Sequence, residues 1–413
     1  MSDNIPLEIQ AEIIKRIPVK SLLQFRSVSK AWKSLIDSSD FINRYSSQQQ
    51  HLLVRYNHRQ IFPFSERKYV SIVDDETFPH QRVSLTHPAF VNMLRSHRII
   101  GNSHGLLCLY GCYGLETTMA VVWNVSIRKA IAVVVPNVAN GVYTTFVGFG
   151  VCPATNDPKI VKITDIIHWE DVESIPDSIP WQVEVFTLST GAWRSPYNNL
   201  PRTSIQFGSS QVVVEGFCYW LATDRSIVDA GFEGYNRIIS FHLTSEEFRE
   251  VNLPDRLVYD GCFDNLNIAN LRESLVVLEQ DARENVCYVW SMKDGVSVSF
   301  TKLYTIYSPN ATLLRVLEFR KNGEPLIEIE DIDDDRIDIP SLLAVYKPKS
   351  KHISNIGING AGSFYVYSYM ETLLLLDQQE FTIFDKGKSY IARRRAEIRS
   401  LLKHISMVQN INQ

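Results

Sequence analysis

Apolar residues follow two different spacings along the chain, and the change between them divides it in two. Near the N-terminus Ile9, Ile13 and Ile17 recur at every fourth position, which places them on one face of a helix. From about residue 51 to 385 the chain instead has short apolar runs separated by glycine, proline, asparagine and aspartate. Such runs are typical of strands and turns. The spacing therefore predicts a small helical segment followed by a large β domain.

The segment from residue 4 to about 45 predicts three short helices. Pro6 suits the first turn of the first helix, where a missing N–H has no partner to lose, and Pro18 stops that helix. Ser21 is the predicted N-cap of the second helix. Three helices of this size cannot bury all their apolar side chains among themselves. We therefore expect the stretch "IPVKSLLQFRSVSKAWKSLI" to pack against another protein.

The β zone contains a degenerate repeat in which an apolar run carries an aromatic residue, passes a polar turn and resumes. Its spacings are 63, 55, 49 and 56 residues, which is the size of a four-stranded propeller blade. The sequence predicts a propeller-like domain of about six blades, with strands from residues near 51 and 362 closing one blade. A stacked β-sandwich is the alternative. The repeated aromatics, expected to lie in the core between blades, are Trp123, Phe186, Phe241, Trp290 and Tyr346.

Three segments follow from these patterns: helices over 1–45, a β domain over 46–385 and a tail over 386–413. The fold class is therefore mainly β with a small α domain. The tail reads as an exposed helix with a frayed end. Its basic run Arg393–Arg395 is interpreted as a solvated helix face rather than a nuclear signal.

The composition narrows the classes of partner. The 413 residues carry a formal net charge of -4 and a pI near 6.2, so nucleic acid is not an expected partner. No apolar run reaches the roughly 18 residues of a membrane span, and the first residues lack a secretory signal. The six cysteines form no CxxC pair, and we expect a reducing location, the cytosol or the nucleus.

We expect no catalytic, cofactor or metal site, since Walker A, GxSxG and HExxH motifs are absent. The run "DIDDDRIDIPSL" alternates Asp331, Asp333 and Asp335 as a calcium loop does. However, Arg336 stands where that loop requires glycine, and Leu342 stands where it requires a bidentate glutamate. The run is interpreted as an acidic solvated loop.

Two long connections, 165–180 and 223–236, combine acidic and apolar residues. Because loops on a rigid scaffold commonly carry binding residues, these connections are the candidate surfaces for a protein target. The first contains His168 close to acidic residues, and we interpret it as a polar connection rather than a catalytic group.

The first 45 residues resemble an F-box. That family's motif starts with Leu-Pro and an isoleucine- and leucine-rich helix. Here it stands as Ile5-Pro6, "EIIKRIPVKSLLQFRSVSKAWKSLI" and Phe41. Ile5 replaces the usual leucine and Ser29 the usual cysteine, and neither replacement is expected to abolish the fold.

The remainder resembles the F-box-associated region of plant F-box proteins. The segments "SHGLLCL", "WNVSIRK", "GFGVCPATNDPKIVKI" and "VWSMKDGVSVSFTKLYTI" are similar to that family's motifs and follow the same order. With "VEGFCYWLA" and "YSYMETLLLL", which match less closely, they span residues 100–376. That family is regarded as propeller-like, in agreement with the repeat.

The resemblance implies a substrate-recognition subunit of an SCF ubiquitin ligase. The F-box would bind a Skp-type adaptor and, through it, a cullin, while the β domain would bind an unidentified target protein and the chemistry would belong to other subunits. Two alternatives stay open: a binding module outside any ligase, and a propeller enzyme or lectin with a helical appendage.

The resemblance and the helical spacing together predict which apolar residues contact the adaptor. Ile14, Phe25 and Leu35 are instead predicted to form the core of the F-box, and Trp32 suits either role. The predicted adaptor-binding residues are Pro6, Ile9, Ile13, Leu22, Leu23, Val28 and Trp32.

Overall fold

The computed structural model describes most of the chain with full side chains. The described residues are 5–45, 49–61, 64–113, 117–136, 143–166, 182–196, 205–224, 234–258, 265–293, 298–331, 341–360, 364–385, 387–391, 400 and 403.

The N-terminal segment forms four helices rather than the three predicted. Ser38 was not recognised as an N-cap, although its Oγ accepts a hydrogen bond from the backbone N–H of Phe41. Ser21 was wrongly predicted as a cap, because it lies inside the second helix, which starts directly after Pro18. The four helices are α1 (Leu7–Ile14), α2 (Val19–Phe25), α3 (Lys30–Ile36) and α4 (Ser39–Arg44).

The β domain is a propeller whose described strands form six sheets, so the predicted blade number is confirmed. The innermost strands of neighbouring blades contact one another around a central axis. Blade 1 contains, from the axis outward, β24 (Tyr365–Met370), β1 (Gln50–Ile61), β2 (Phe64–Val73) and β3 (Arg82–Leu85). Blade 2 starts with β4 (Arg95–Ser103), β5 (Leu106–Tyr113), β6 (Thr117–Asn124) and β7 (Lys129–Val135).

The other four blades each use consecutive strands. Blade 3 contains β8 (Tyr143–Val151), β9 (Pro158–Ile166), β10 (Gln182–Thr187) and β11 (Ala192–Arg194), and blade 4 contains β12 (Ile205–Val214), β13 (Phe217–Asp224), β14 (Tyr235–His242) and β15 (Phe248–Val251). Blade 5 contains β16 (Leu266–Leu271), β17 (Ser274–Asp281), β18 (Val286–Lys293) and β19 (Ser299–Tyr307), and blade 6 contains β20 (Ala311–Phe319), β21 (Pro325–Asp331), β22 (Ser341–Lys347) and β23 (His352–Gly360). Two short helices, α5 (Ala89–Met93) and α6 (Asp255–Val258), lie in connections between blades.

The two ends of the propeller sequence meet in blade 1, as predicted. Strand β24 supplies the innermost strand and pairs antiparallel with β1, with Arg55 opposite Tyr365 and Gln50 opposite Met370. Side chains from both neighbouring blades also bind Ser368 of β24: its carbonyl accepts from Asn102 Nδ2 of blade 2, and its N–H donates to Glu318 of blade 6. The closing strand is therefore fixed by its partner strand and by both adjacent blades.

The repeated aromatics fall on the third strand of blades 2 to 6, which explains why the sequence repeat marks one residue per blade. Four of them are almost completely buried, and Trp290 is half-buried, with Nε1 donating to Glu279 Oε2 at 2.9 Å. Large apolar clusters fill all six junctions between neighbouring blades within the described residues. The four fully buried aromatics belong to these clusters: Trp123, Phe186, Phe241 and Tyr346.

Blade 2 continues outward into the region predicted as tail. Strand β25 (Thr382–Asp385) pairs parallel with β7, and β26 (Lys388–Ile391) pairs antiparallel with β25. The predicted boundary at residue 385 was wrong, because β26 still belongs to the sheet of blade 2. This strand covers an edge of β25 that would otherwise be open. The run Arg393–Arg395 lies outside the described residues.

The helices pack on the propeller at the junction of blades 2 and 3. Val19, Ile36 and Phe41 belong to the same buried cluster as Leu106 of blade 2 and Phe149 of blade 3. Much of the apolar surface that seemed to need another protein is thus covered by the chain's own β domain. The expectation was wrong for this inner surface, because spacing shows that a face is apolar but not which element covers it.

The carboxyl group of Glu318 generates a prediction about stability and pH. Burial raises its pKa to about 7, although the N–H groups of Phe319 and Ser368 donate to it. Because the folded-state pKa lies above the unfolded value of 4.5, this group stabilises the fold fully below that value. The contribution is lost as the pH rises through the folded-state pKa.

We expect Glu318→Gln to be more stable relative to the parent chain at about pH 8 than at about pH 5, since the amide keeps one of the two acceptor oxygens and removes the charge. Urea unfolding at both values measures this difference. Glu273→Gln, in an exposed turn, is the control. Equal differences at the two pH values would contradict the assignment.

Candidate functional site

The outer surface of the helices exposes a group of apolar side chains. Ile9 and Ile13 each expose 53% of their area and Val28 exposes 66%, while Ile5 and Pro6 are also exposed. Of the ten large apolar residues that are exposed in the described chain, four lie in these first 28 residues. Such a concentration on one small domain marks an interaction surface.

The spacing along α1 creates this surface. Ile9 and Ile13 are four residues apart and lie on the outer face, whereas Ile14 turns inward and exposes only 3%. The same helix therefore binds the propeller cluster with one face and leaves the other face free. Ile14, Phe25 and Leu35, predicted to form the core of the F-box, are buried or half-buried in this cluster, which the F-box shares with the propeller.

Trp32 joins three helices. Its indole Nε1 donates to Gln10 Oε1 of α1 at 3.1 Å, and its ring meets Phe25 of α2 edge-on with a centroid distance of 5.1 Å. Ser29 Oγ accepts from the Trp32 N–H and caps α3. The half-buried ring therefore orients the helices and still presents part of its surface to solvent.

Two of the predicted contact residues are placed differently from the rest. Leu22 is completely buried in the cluster shared with the propeller, so its prediction as a contact residue is corrected. Leu23 is half-buried against the same cluster. Adjacent leucines in a short helix point in directions about 100° apart, and the sequence alone does not show which of them meets the propeller.

Polar contacts fix the helices to a segment that follows β24. Glu371 Oε2 accepts a hydrogen bond from the N–H of Val19 at 3.1 Å, at the start of α2. The same part of the chain is bound from blade 2, where Asn124 Nδ2 donates to the carbonyls of Thr372 and Leu374 at 3.0 and 2.8 Å. Asn124 is fully buried. The bonds make it a positioning residue for the helical domain.

Gly105 makes close approach to this segment possible. Its φ is +75°, and a Cβ at this position would lie 2.2 Å from the carbonyl oxygen of Met370. Sequence reasoning used Gly105 and Asn124 only as parts of the motifs "SHGLLCL" and "WNVSIRK" and missed their roles. The available signal was a polar residue, Asn124, directly after the apolar run that ends at Trp123.

The described part of the chain offers little for catalysis. It holds no group of three or more histidine, cysteine, aspartate or glutamate residues placed to bind a metal. Burial raises the pKa of the Cys108 and Cys218 thiols, which disfavours the thiolate. His168 and most of both candidate loops, 165–180 and 223–236, lie outside the described residues. No helix among the described residues is long and apolar enough to cross a membrane.

Family comparisons agree with this architecture. Residues 2–44 match the F-box domain, and residues 69–331 match the F-box associated beta propeller domain. The second match covers more than half of the chain, and the chain therefore belongs to the F-box associated β-propeller family. The resemblance to plant F-box proteins is confirmed.

Individual relatives are distant but extend over most of the chain. The F-box protein CPR1 of Arabidopsis thaliana is 23% identical over 90% of this chain and 89% of its own length. An F-box/kelch-repeat protein of the same plant is 23% identical over 73% of this chain and 79% of its length. Among solved structures, TolB from Acinetobacter baumannii aligns with a TM-score of 0.42 and 9% identity over 83% of this chain and 73% of TolB. At this TM-score and identity, the likeness to TolB does not indicate a shared function.

The different burial of two apolar residues predicts different effects of truncation. Leu22→Ala is expected to lower the free energy of unfolding by about 2–5 kcal/mol, because it opens a cavity in a packed core. Val28→Ala is expected to change it by less than about 0.5 kcal/mol. Denaturant unfolding followed by circular dichroism measures both variants. An unchanged midpoint for Leu22→Ala would contradict the packing of α2 on the propeller.

Proposed function

We propose that this protein is the substrate-recognition subunit of an SCF-type ubiquitin ligase. Its F-box binds a Skp-type adaptor, the adaptor links it to a cullin, and the propeller binds the protein to be ubiquitinated. The single observation that carries the proposal is the exposed apolar face of Ile9, Ile13 and Val28 on a domain fixed to the propeller by its opposite face.

This face has the properties of a protein interface. Apolar and aromatic side chains that become desolvated at the centre of an interface typically contribute most of its affinity. After Leu22 is assigned to the core, the proposed contact residues are Pro6, Ile9, Ile13, Leu23, Val28 and Trp32.

The direction of the strands supports separate places for adaptor and target. Asn156, in the turn between β8 and β9, donates to the carbonyl of Asn43 of the F-box at 3.1 Å. The other ends of these strands, Tyr143 and Ile166, pair at the opposite end of blade 3. We propose that the target binds at this opposite end, where the connection 165–180 begins.

The two alternatives have less support. A propeller enzyme or lectin gives the F-box no role, and the described residues contain no group of three or more metal-ligating side chains that would favour it. A binding module outside a ligase would use the same surfaces and differs only in the absence of ubiquitin transfer. We propose a location in the cytosol or nucleus, where this protein would encounter the adaptor and the cullin.

Charge placed on the exposed face is expected to prevent adaptor binding. Ile9→Asp with Ile13→Asp should weaken binding by about 2 kcal/mol or more, since each carboxylate would be desolvated in an apolar contact. Calorimetric titration of the full chain with a Skp-type adaptor measures the affinity. Val83→Asp, at a residue that is 55% exposed on blade 1, is the matched control. Unchanged affinity in the double variant would reject the proposed face.

The ligase role itself is tested by ubiquitin transfer. Proteins retained from plant extract by the full chain should become ubiquitinated when adaptor, cullin and the upstream enzymes are supplied. The double variant should retain the same proteins without supporting their modification. Retention without any cullin-dependent transfer would favour the non-ligase binding module.

A further inference from the structure

A nearly buried guanidinium group in blade 1 has no anionic partner among the residues that the structure describes. Arg55 of β1 is only 8% exposed, and its Cζ lies 4.5 Å from the centroid of the Tyr365 ring. None of the described residues forms an ion pair or hydrogen bond with Arg55. A buried charge that lacks such a partner is costly to the fold.

A second guanidinium group lies close to the first. Arg67 of β2 places Nη1 3.1 Å from both ring nitrogens of His97. Burial and the charge of Arg67 lower the pKa of His97 to about 4, so at neutral pH the ring is uncharged and does not compensate Arg67. Burial raises the pKa of Tyr69, and the charges of both arginines act to lower it. The buried Tyr69 hydroxyl has no hydrogen-bond partner in the described structure. One ring nitrogen of the uncharged His97 can accept from Arg67, but the described residues supply no carboxylate partner for either guanidinium group.

A third arginine, Arg315, shows the contrast. Arg315 lies 5.4 Å from the centroid of the Tyr365 ring, but its Nε donates to Glu328 Oε2 at 2.7 Å and its Nη2 to the Phe364 carbonyl at 2.8 Å. Burial and, among other charges, that of Glu318 raise the pKa of the neighbouring Tyr367. The Glu318 carboxylate accepts from backbone N–H groups and forms no ion pair with Arg55. Of the three arginines, Arg55 and Arg67 lack a carboxylate among the described residues.

The cluster and the F-box lie at opposite ends of the closing strand. Arg55 pairs with Tyr365 at one end of β24, and Met370 at the other end precedes Glu371, which binds the F-box. Five residues of extended strand separate the two ends by roughly 17 Å. The cluster therefore lies toward the end of the propeller remote from the F-box.

We propose that Arg55 and Arg67, with the hydroxyl of Tyr69, form an oxyanion-binding site that takes a carboxylate or phosphoryl group. A planar guanidinium binds either group through two parallel hydrogen bonds, and the stacking on Tyr365 holds that plane in place. That the oxyanion belongs to the target protein rests on the proposed function. The site itself does not.

The test uses the full chain alone with two small probes, N-acetyl-O-phosphoserine amide and N-acetylaspartate amide, titrated by calorimetry. N-acetylserine amide is the neutral control probe. Saturable binding of a charged probe is expected, and the better probe identifies the group as phosphoryl or carboxylate. Arg55→Met should weaken that binding by at least about tenfold, since a charge-assisted hydrogen bond is lost. Arg283→Met, in an exposed turn of blade 5, should leave it unchanged.

Arg55→Lys keeps the test decisive if Arg55→Met does not fold, because lysine retains the charge but not the two parallel donors. It should bind the probe more weakly than arginine does. The proposal is overturned if neither charged probe binds saturably, or if the Arg55 variants bind as well as the parent chain. Since no adaptor is present, either result leaves the proposed ligase role to its own tests.

Discussion

The pairing of β24 with β1 is the constraint on which the rest of this molecule depends. It joins residues about 310 positions apart in sequence and closes a ring whose six junctions are each filled by buried apolar side chains. Closing so long a loop costs chain entropy, and the cost is offset by burial around the whole ring. The side-chain bonds from Asn102 and Glu318 to Ser368 secure the closing strand from both neighbouring blades.

The same closure positions the helical domain. The chain leaves β24 at Met370, and the residues that follow are bound by Asn124 and, through Glu371, bind the start of α2. The apolar core between blades 2 and 3 continues without interruption into the helices. For the proposed receptor this is a mechanical requirement, because a target held by the propeller keeps a fixed position relative to the adaptor only if the two domains move together.

Within the described residues, the structure separates the two proposed binding functions by distance and by chemistry. The F-box face is apolar and exposed, and Ile9 and Ile13 need only desolvation to bind. The cluster around Arg55 is largely buried and cationic, and the described residues supply no carboxylate partner for it, so the proposed ligand carries the opposite charge. In the proposed receptor, the F-box face would bind the adaptor and the cluster around Arg55 would bind a charged group of the target.

The sequence by itself determined the two-part architecture and the outward face of α1, and it predicted a propeller of about six blades closed by both ends, with a β-sandwich as the alternative. These follow from local periodicity and from an aromatic residue that recurs in each of blades 2 to 6. Each blade buries its apolar side chains against its neighbours in the same way. The sequence did not determine the roles of Leu22, Asn124 or β26, nor that the helices share a core with blades 2 and 3. It also did not reveal that Arg55 forms no ion pair or hydrogen bond with the described residues. Those features depend on which distant residues meet, and pattern along one chain shows that a surface is apolar or charged without showing what lies against it.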